Sequence, residues 1–530
     1  MEIRRLIDGL SLPGAFPVPV DLVEIRQTHI SVVFLAGDRA FKIKKPVTLD
    51  FLDYGTLERR RHFCEEEVRL NRRWAPDVYL GVVPVVEHGG RLRFGGSGRV
   101  VEHAVEMRRL PDSARLGERL MADGVGRDVA EALGRRVASF HQHAERSDRI
   151  ASFARCDAVA RNVRENLAAA ASMAGDALGR GVLDRLGARV EEELARLRPL
   201  IEDRAERNRP CDTHGDLRLE HVYHFPDRPA PGDLVVIDGI EFNERFRFAD
   251  PIADMAFLHM DLIVHGRRDL AASFAGAYFR ASGDEEGRAL LPFYTSYRAA
   301  VRGKVQGLKA FQEEIPEAER ERATRRARAF WLLALAELEP PGRKPCLVLV
   351  AGLPGTGKTT LARSLEERAG FMVIRSDVVR KETAGPPEAA SPGGGFETGL
   401  YAADRTRTTY AECLRRAEAS LFEGARVLVD ASFRAEERRM EFRRAAGAWA
   451  VPFVILHCVA SPAIVRDRLA ARRGDASDAD WSVYREMARR WEAFGPSTRD
   501  AVFEIDTSST PGAATGRALA ALGRVSLAEG

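Results

Sequence analysis

The sequence holds six cysteines in 530 residues, Cys64, Cys156, Cys211, Cys346, Cys413 and Cys458, and none stands in a C-x-x-C pair or at metal-ligand spacing. That scarcity excludes a disulfide framework and a zinc module, and fits reduced thiols in the cytoplasm. Long apolar runs are missing too. The stretch AFWLLALAEL falls short of the roughly 20 residues that a membrane-spanning helix needs. The opening MEIRRLIDGLSLPGAFP contains no apolar stretch of signal-peptide length, so the expectation is a soluble cytoplasmic chain with no membrane partner. Nor does one charge dominate: 81 Lys and Arg against 78 Asp and Glu leave a formal +3, which is no whole-chain signature of nucleic-acid binding. What is present, 45% apolar and 8% aromatic residues, is ordinary globular material, long enough for roughly two to four structural units.

Alternating apolar and polar residues in DLVEIRQT, ISVVFLAG and RAFKIKKPV predict an antiparallel meander, with a tight turn at Ala36 to Asp38. A helical stretch, TLERRRHFCEEEVRLNRRWAP, is followed by strand-like runs in VYLGVVPVVEH, RLRFGG and RVVEHAVEMRRLP. Residues 1–110 therefore read as a small lobe of sheet plus one helix. Helical periodicity dominates 111–339, as in VAEALGRRVASFHQHA, where His141 sits beside the apolar face as a packed core histidine. LEPPGRKP breaks the helical pattern and places a linker at 340–345. Over 346–527 strands and helices alternate, the pattern of a parallel sheet with crossover helices, and AGPPEAASPGGGFETG reads as a loop inside it.

GLPGTGKTT matches G-x-x-x-x-G-K-[ST] through Gly352, Gly357, Lys358 and Thr359, between an apolar strand and a helix, the context this motif requires. Its glycines, Gly355 included, let backbone N–H groups wrap phosphates. The helix start at Thr359 and Thr360 adds its dipole, Lys358 reaches the terminal phosphates of ATP, and Thr359 can hold Mg²⁺. In VIRSDVVRKE, Asp377 falls just after the second strand, where it either accepts the proton of an attacking hydroxyl or caps a helix. Arg380 is placed to orient an acceptor anion. Asp430 ends the strand RVLVDASF and can support Mg²⁺ and Thr359; Arg468 and Arg472, four apart on one helix face, either close over ATP or remain solvated.

These motifs, with SDVVRK, VDASF and RLAARRGDASDA, resemble the P-loop kinases typified by zeta toxins and polynucleotide 5′-kinases, over Arg343 to Val525. The resemblance implies an α/β P-loop NTPase fold with a parallel sheet and phosphoryl transfer from ATP, with Asp377 as base, Arg380 at the acceptor and Arg468 and Arg472 clamping phosphate. The acceptor would be a hydroxyl-bearing small molecule or an RNA or DNA 5′ end. Self-association into a homo-oligomer stays open.

In THGDLRLEH, His214 and Asp216 have H-x-D spacing, and LVVIDGIEF puts Asp238 at the end of an apolar strand. This constellation resembles the aminoglycoside phosphotransferase and choline kinase-like family over roughly Leu22 to Leu335, which implies an α+β bilobal protein-kinase-like fold. By that resemblance Asp216 accepts the acceptor's proton, His214 buttresses the loop and Asp238 holds a metal. Lys42 grips nucleotide phosphates with Glu67 as its ion-pair partner, although Lys44 shares the strand face and Glu65 and Glu66 compete for the helix position. Met107, in EMRRLP, lies at the hinge that would meet adenine. Two features depart from the family. No glycine-rich loop joins the first two strands, where QTHIS stands with Thr28 and Ser31 as hydrogen-bond donors, and His221 replaces a metal-binding Asn. Imidazole is a poor ligand for hard Mg²⁺, so Glu220 or Glu241 is a candidate substitute. The first half is expected to be a second kinase or a substrate-binding or regulatory module; an ATP-hydrolysing switch or scaffold without an acceptor is the alternative for the whole chain.

Overall fold

The computed structural model describes residues 2–49, 51–383, 403–471 and 480–529. The loop read at AGPPEAASPGGGFETG and the residue Arg472 lie outside them. Two compact units alternate along the chain: the first takes 1–160, 197–262 and 267–291, the second 161–196, 263–266 and 292–530.

In the first unit a six-stranded antiparallel sheet is built from β1 (Val23–Gln27), β2 (Ser31–Ala36), β3 (Arg39–Lys44), β4 (Tyr79–His88), β5 (Arg91–Phe94) and β6 (Arg99–Arg108), in the order β1-β2-β3-β6-β4-β5. The meander turns at Gly37, whose φ of 59° suits the residue without a Cβ. Register sets Lys42 opposite Val105, with Lys42 and Lys44 on the same sheet face by the two-residue period. Helix α1 (Leu57–Asn71), capped by Thr56 accepting from the Arg59 N–H, presents Glu67 and Asn71 one turn apart. It ends at Asn71, five residues before the proline at which the sequence pattern stopped. The α1 residues Cys64 and Val68 pack with Val105, Tyr79, Tyr223 and Val235 in one apolar cluster. A hairpin of β7 (Val222–His224) and β8 (Leu234–Val236) follows the loop that begins at His214 and leads to Asp238. Helices α2 (Arg127–His143), the end of α3 (Arg180–Glu206), α4 (Pro251–Val264) and α5 (Arg268–Ser282) are among those that cover the rest of the unit. The sheet is antiparallel as expected; the bilobal kinase-like assignment remains an expectation of the resemblance.

The second unit carries a five-stranded parallel sheet of β9 (Cys346–Ala351), β10 (Met372–Arg375), β11 (Arg426–Asp430), β12 (Phe453–Val459) and β13 (Val502–Asp506), in the order β10-β11-β9-β12-β13. β9 is buried at every position, as a central strand covered on both faces must be. Ahead of it stand α6 (Leu291–Ala310) and α7 (Glu317–Leu338). Phe330, Trp331, Leu332 and Leu335 of α7 are buried, and Trp331 and Leu332 share a small cavity with Leu421, Phe422 and Trp449. From α3, Arg185 donates to the Gly424 carbonyl at 2.8 Å and to the buried Glu339 carboxylate at 2.8 Å. The stretch 340–345 thus lies inside the second compact unit, between α7 and β9, rather than at its edge.

Candidate active site

The second unit builds its site on the turn between β9 and α8 (Lys358–Ala369). Gly352, Gly355 and Gly357 have φ of 143°, 79° and 83°, the left-handed region that other residues enter at a cost of about 1–3 kcal/mol. A Cβ on Gly352 would stand 2.6 Å from the Cys458 carbonyl oxygen, and one on Gly355 2.9 Å from Val465. The cradle is therefore one that a side chain would fill. Thr507 locks it, donating from Oγ1 to the Thr356 carbonyl at 2.7 Å. Lys358 donates from Nζ to the Leu353 carbonyl at 2.9 Å, which draws its side chain back along the loop.

Thr359 Oγ1 donates to Asp430 Oδ2 at 2.7 Å, with Asp430 at the last position of β11. Burial raises the Asp430 pKa, and Lys358 and the Thr359 hydrogen bond oppose that rise while nearby Asp377 adds to it. A hydroxyl beside a carboxylate is the hard oxygen set that suits Mg²⁺ bound together with phosphates; among the described residues no group of three or more His, Cys, Asp or Glu could hold a metal ion alone. The donor chemistry and the side-chain-free cradle both fit an Mg²⁺–nucleotide.

A cavity of about 580 Å³ runs from Lys358, Thr359 and Thr360 to Asp377 and Arg380 on α9 (Ser376–Thr383), with Arg468 at its rim. Arg468 lies on α12 (Pro462–Ala471) and donates from Nη2 to the Thr507 carbonyl at 2.6 Å. Of the residues read from the sequence for this site, Gly355, Gly357, Lys358, Thr359, Thr360, Asp377, Arg380, Asp430 and Arg468 line this one cavity, and Gly352 supports it from behind. The sequence reading missed Tyr410 on α10 (Ala403–Phe422), Ser432 and Arg434 after β11, and Arg438 on α11 (Glu436–Ala448), which line it as well. The segment ASFRAEERR directly after Asp430 was the available signal for Ser432, Arg434 and Arg438.

In the first unit, Lys42 Nζ donates to Glu67 Oε1 at 2.9 Å and to Asp238 Oδ1 at 2.7 Å, so the helix position belongs to Glu67 and not to Glu65 or Glu66. Lys44, missed as a separate actor, donates to Glu67 Oε2 at 2.7 Å and to Glu241, which also accepts from Tyr54. One oxygen of Glu241, Oε1, is thereby engaged by Lys44 and Tyr54. Burial alone would lower both lysine pKa values, yet the facing carboxylates hold them raised. Asp238 sits at φ 66°, and despite the raising effect of burial Lys42 and His221 hold its pKa below the usual carboxylate range.

His214 donates from Nε2 to the Ile237 carbonyl at 3.0 Å and accepts the Asp216 N–H at Nδ1, 3.3 Å away. Burial lowers its pKa, which keeps the ring in that neutral tautomer. Asp254 ties the loop down, accepting from the His214 and Gly215 N–H groups at 3.1 and 2.9 Å and facing His141 Nε2 at 3.0 Å. His141 is the buried structural residue expected of it. His221 Nδ1 lies 2.8 Å from the Asp216 carbonyl, and its Nε2 is 3.6 Å from Asp238 Oδ2 and 3.7 Å from Glu220. Lys42, Glu67, Asp216, Asp238 and His221 are thus neighbours, but one imidazole and one carboxylate fit Mg²⁺ less well than the all-oxygen pair of the second unit. Met107 packs into the apolar cluster with Ala40 and Tyr79. The next two N–H groups, of Arg108 and Arg109, donate to the Val78 and Asp38 carbonyls. Thr28 and Ser31 hydroxyls lie 2.9 Å apart and close their own turn.

Residues 347–494 match the AAA domain family AAA_33. Uncharacterized protein Rv2004c of Mycobacterium tuberculosis (strain ATCC 25618 / H37Rv) and uncharacterized protein Mb2027c of Mycobacterium bovis (strain ATCC BAA-935 / AF2122/97) are each 35% identical over 468 residues, 88% of this chain and 90% of theirs. That span exceeds either compact unit, so the kinship includes both. Among solved structures, a sugar kinase from Janibacter sp. HTCC2649 matches at 18% identity over 35% of this chain and 99% of its own, TM-score 0.28. A gluconokinase from Sinorhizobium meliloti 1021 matches at 18% identity over 35% and 95%, TM-score 0.27.

Proposed function

We propose, for a chain that belongs to the same family as the mycobacterial proteins Rv2004c and Mb2027c, that the P-loop domain of its second unit is a kinase transferring the γ-phosphate of ATP to a hydroxyl group. The observation that carries this reading is the position of Asp377. Its carboxylate lines the same cavity as Lys358 and Thr359 and acts electrostatically on Asp430. A switch that only hydrolyses ATP has no need of a second carboxylate and an arginine, Arg380, in the cavity that holds the phosphate cradle.

In this reading the glycine turn and the start of α8 bind the phosphates through backbone N–H groups. Lys358 leaves the Leu353 carbonyl for the transferring phosphate, and Arg468 stabilises its charge from the rim. Thr359 and Asp430 would hold Mg²⁺, which when bound supplies charge neutralisation across the phosphates. Asp377 accepts the proton as the acceptor oxygen forms its bond to the γ-phosphorus. The bond from that phosphorus to the bridging oxygen breaks, and ADP leaves with the electron pair. Positioning and charge do the chemistry; no covalent intermediate on the protein is needed.

The test is ATP-dependent labelling of a cell metabolite extract, read by mass spectrometry as products heavier by one phosphate. Wild type is expected to form product and Lys358→Ala and Asp377→Asn to lose it. ATP consumption by the wild type without any phosphorylated product would replace this reading with that of a hydrolysing switch.

For the first unit, the Lys42–Glu67–Asp238 cluster supports a nucleotide-binding role. Nucleotide retained by Lys358→Ala and lost on adding Lys42→Met is the expected result; an absence of retained nucleotide removes that role.

A further inference from the structure

We infer that the acceptor is a small anion, a hydroxyl compound that carries its own carboxylate or phosphate, held by Arg434 and Arg438; this rests on the kinase reading of the same cavity. The charges on its wall divide by role. Lys358 and Arg468 serve the phosphate cradle in the kinase reading, with Asp430 for the metal and Asp377 for the proton. The same wall also carries Arg380, Arg434 and Arg438, against which stands Glu437. Half-buried guanidinium groups gathered on a cavity wall are stabilised by an anion that arrives with the ligand.

Two of these side chains are held in place. Arg438 Nη1 donates to Glu441 at 2.6 Å, one turn along α11, and its guanidinium lies 5.9 Å from the ring centre of Tyr410. Tyr410 is itself fixed, accepting the Phe433 N–H at 3.1 Å with its hydroxyl 3.3 Å from Ser432 Oγ. Arg434 Nη1 reaches the Arg490 carbonyl at 3.4 Å. Burial raises the Tyr410 pKa, opposed by the hydrogen bonds to Ser432 and Phe433 and by the charge of nearby Arg380. Arg438 held over a tyrosine, with Arg434 and the Asp377 carboxylate on the wall of the same cavity, suits an oxyanion at one end of a molecule and the reacting hydroxyl at the other. The volume of about 580 Å³ is that of a small-molecule pocket, which favours a metabolite over a nucleic-acid end.

The experiment divides a metabolite extract by anion exchange into retained and unretained fractions, and adds a 5′-hydroxyl oligonucleotide as a third arm. Each is incubated with ATP and wild type, Lys358→Ala, Arg434→Gln or Arg438→Gln. The expected result is phosphorylated product from the retained fraction alone, lost in Lys358→Ala. In Arg434→Gln and Arg438→Gln the apparent KM for that fraction should rise about tenfold or more, with the KM for ATP unchanged as the control for folding. Pretreating the retained fraction with phosphatase separates the two anions: product that survives identifies a carboxylate, product that disappears a phosphate. Product from the unretained fraction or from the oligonucleotide, or an unchanged KM in both arginine variants, overturns the anion inference and leaves the kinase standing. Absence of product from every arm overturns both.

Discussion

Lys44 shows why a residue legible as a type is not always legible as a role. KIK in β3 puts two lysines on one face, and only the fold separates them: Lys42 reaches Asp238, whereas Lys44, 1% exposed, is enclosed by Glu67, Glu241 and Tyr54. Lys44→Met leaves the buried Glu241 without its cation and Glu67 with Lys42 alone, and should cost about 3–5 kcal/mol of stability, read as a lower urea midpoint; Lys42→Met, at the mouth of the same cluster, should cost less. His221 was visible in the sequence as a departure, but the pairing of Glu241 with Lys44 was not, since it depends on a contact across 197 residues. A second residue gives a pH dependence. His457 on β12 stacks on Trp491 at 5.0 Å between ring centres, and burial, reinforced by Arg439 and Lys358, lowers its pKa from 6.5 to about 4. The unfolded chain takes up this proton first on acidification. The stability His457 contributes is therefore present in full above 6.5 and is lost as pH falls toward about 4. Urea midpoints at several pH values across that window should fall in wild type, with His457→Gln removing part of the slope.

At the scale of elements, the parallel sheet was readable because four of its strands are apolar runs followed by helical periodicity, as in CLVLVAG and RVLVDASF. The fifth, Val502–Asp506, went unread: it is an edge strand with one buried position among five, so its sequence lacks the continuous apolar signal. The phosphate turn was readable from its motif, but its dependence on α12 was not. Gly355 stands under Val465 and Leu469 of that helix, 2.9 and 3.0 Å from where a Cβ would be. Gly355→Ala should therefore push α12 and Arg468 off the turn and weaken nucleotide binding about tenfold or more, from strain of about 1–3 kcal/mol. Gly447→Ala on α11, with nothing within 4 Å of its Cβ, should leave affinity unchanged. Nucleotide titration calorimetry on the two variants checks both outcomes.

For the whole molecule, the order of motifs along the chain was legible, but the grouping of helices was not, because helical periodicity marks an apolar face without naming what covers it. A fragment beginning at Cys346, the natural cut by sequence, would strip α6, α7 and the first part of α3 from the second unit. It should be less soluble and unfold at lower urea than the same residues within the full chain, and equal behaviour would contradict the grouping. The chain passes between its two units at 160/161, 196/197, 262/263, 266/267 and 291/292, each time inside or beside a helix. No single break in the reading frame therefore separates the two compact units. A gene fission that parted the Lys42–Asp238 cluster from the Lys358–Asp430 cavity would also divide at least one of the two compact units, and its products would have to reassociate to restore both.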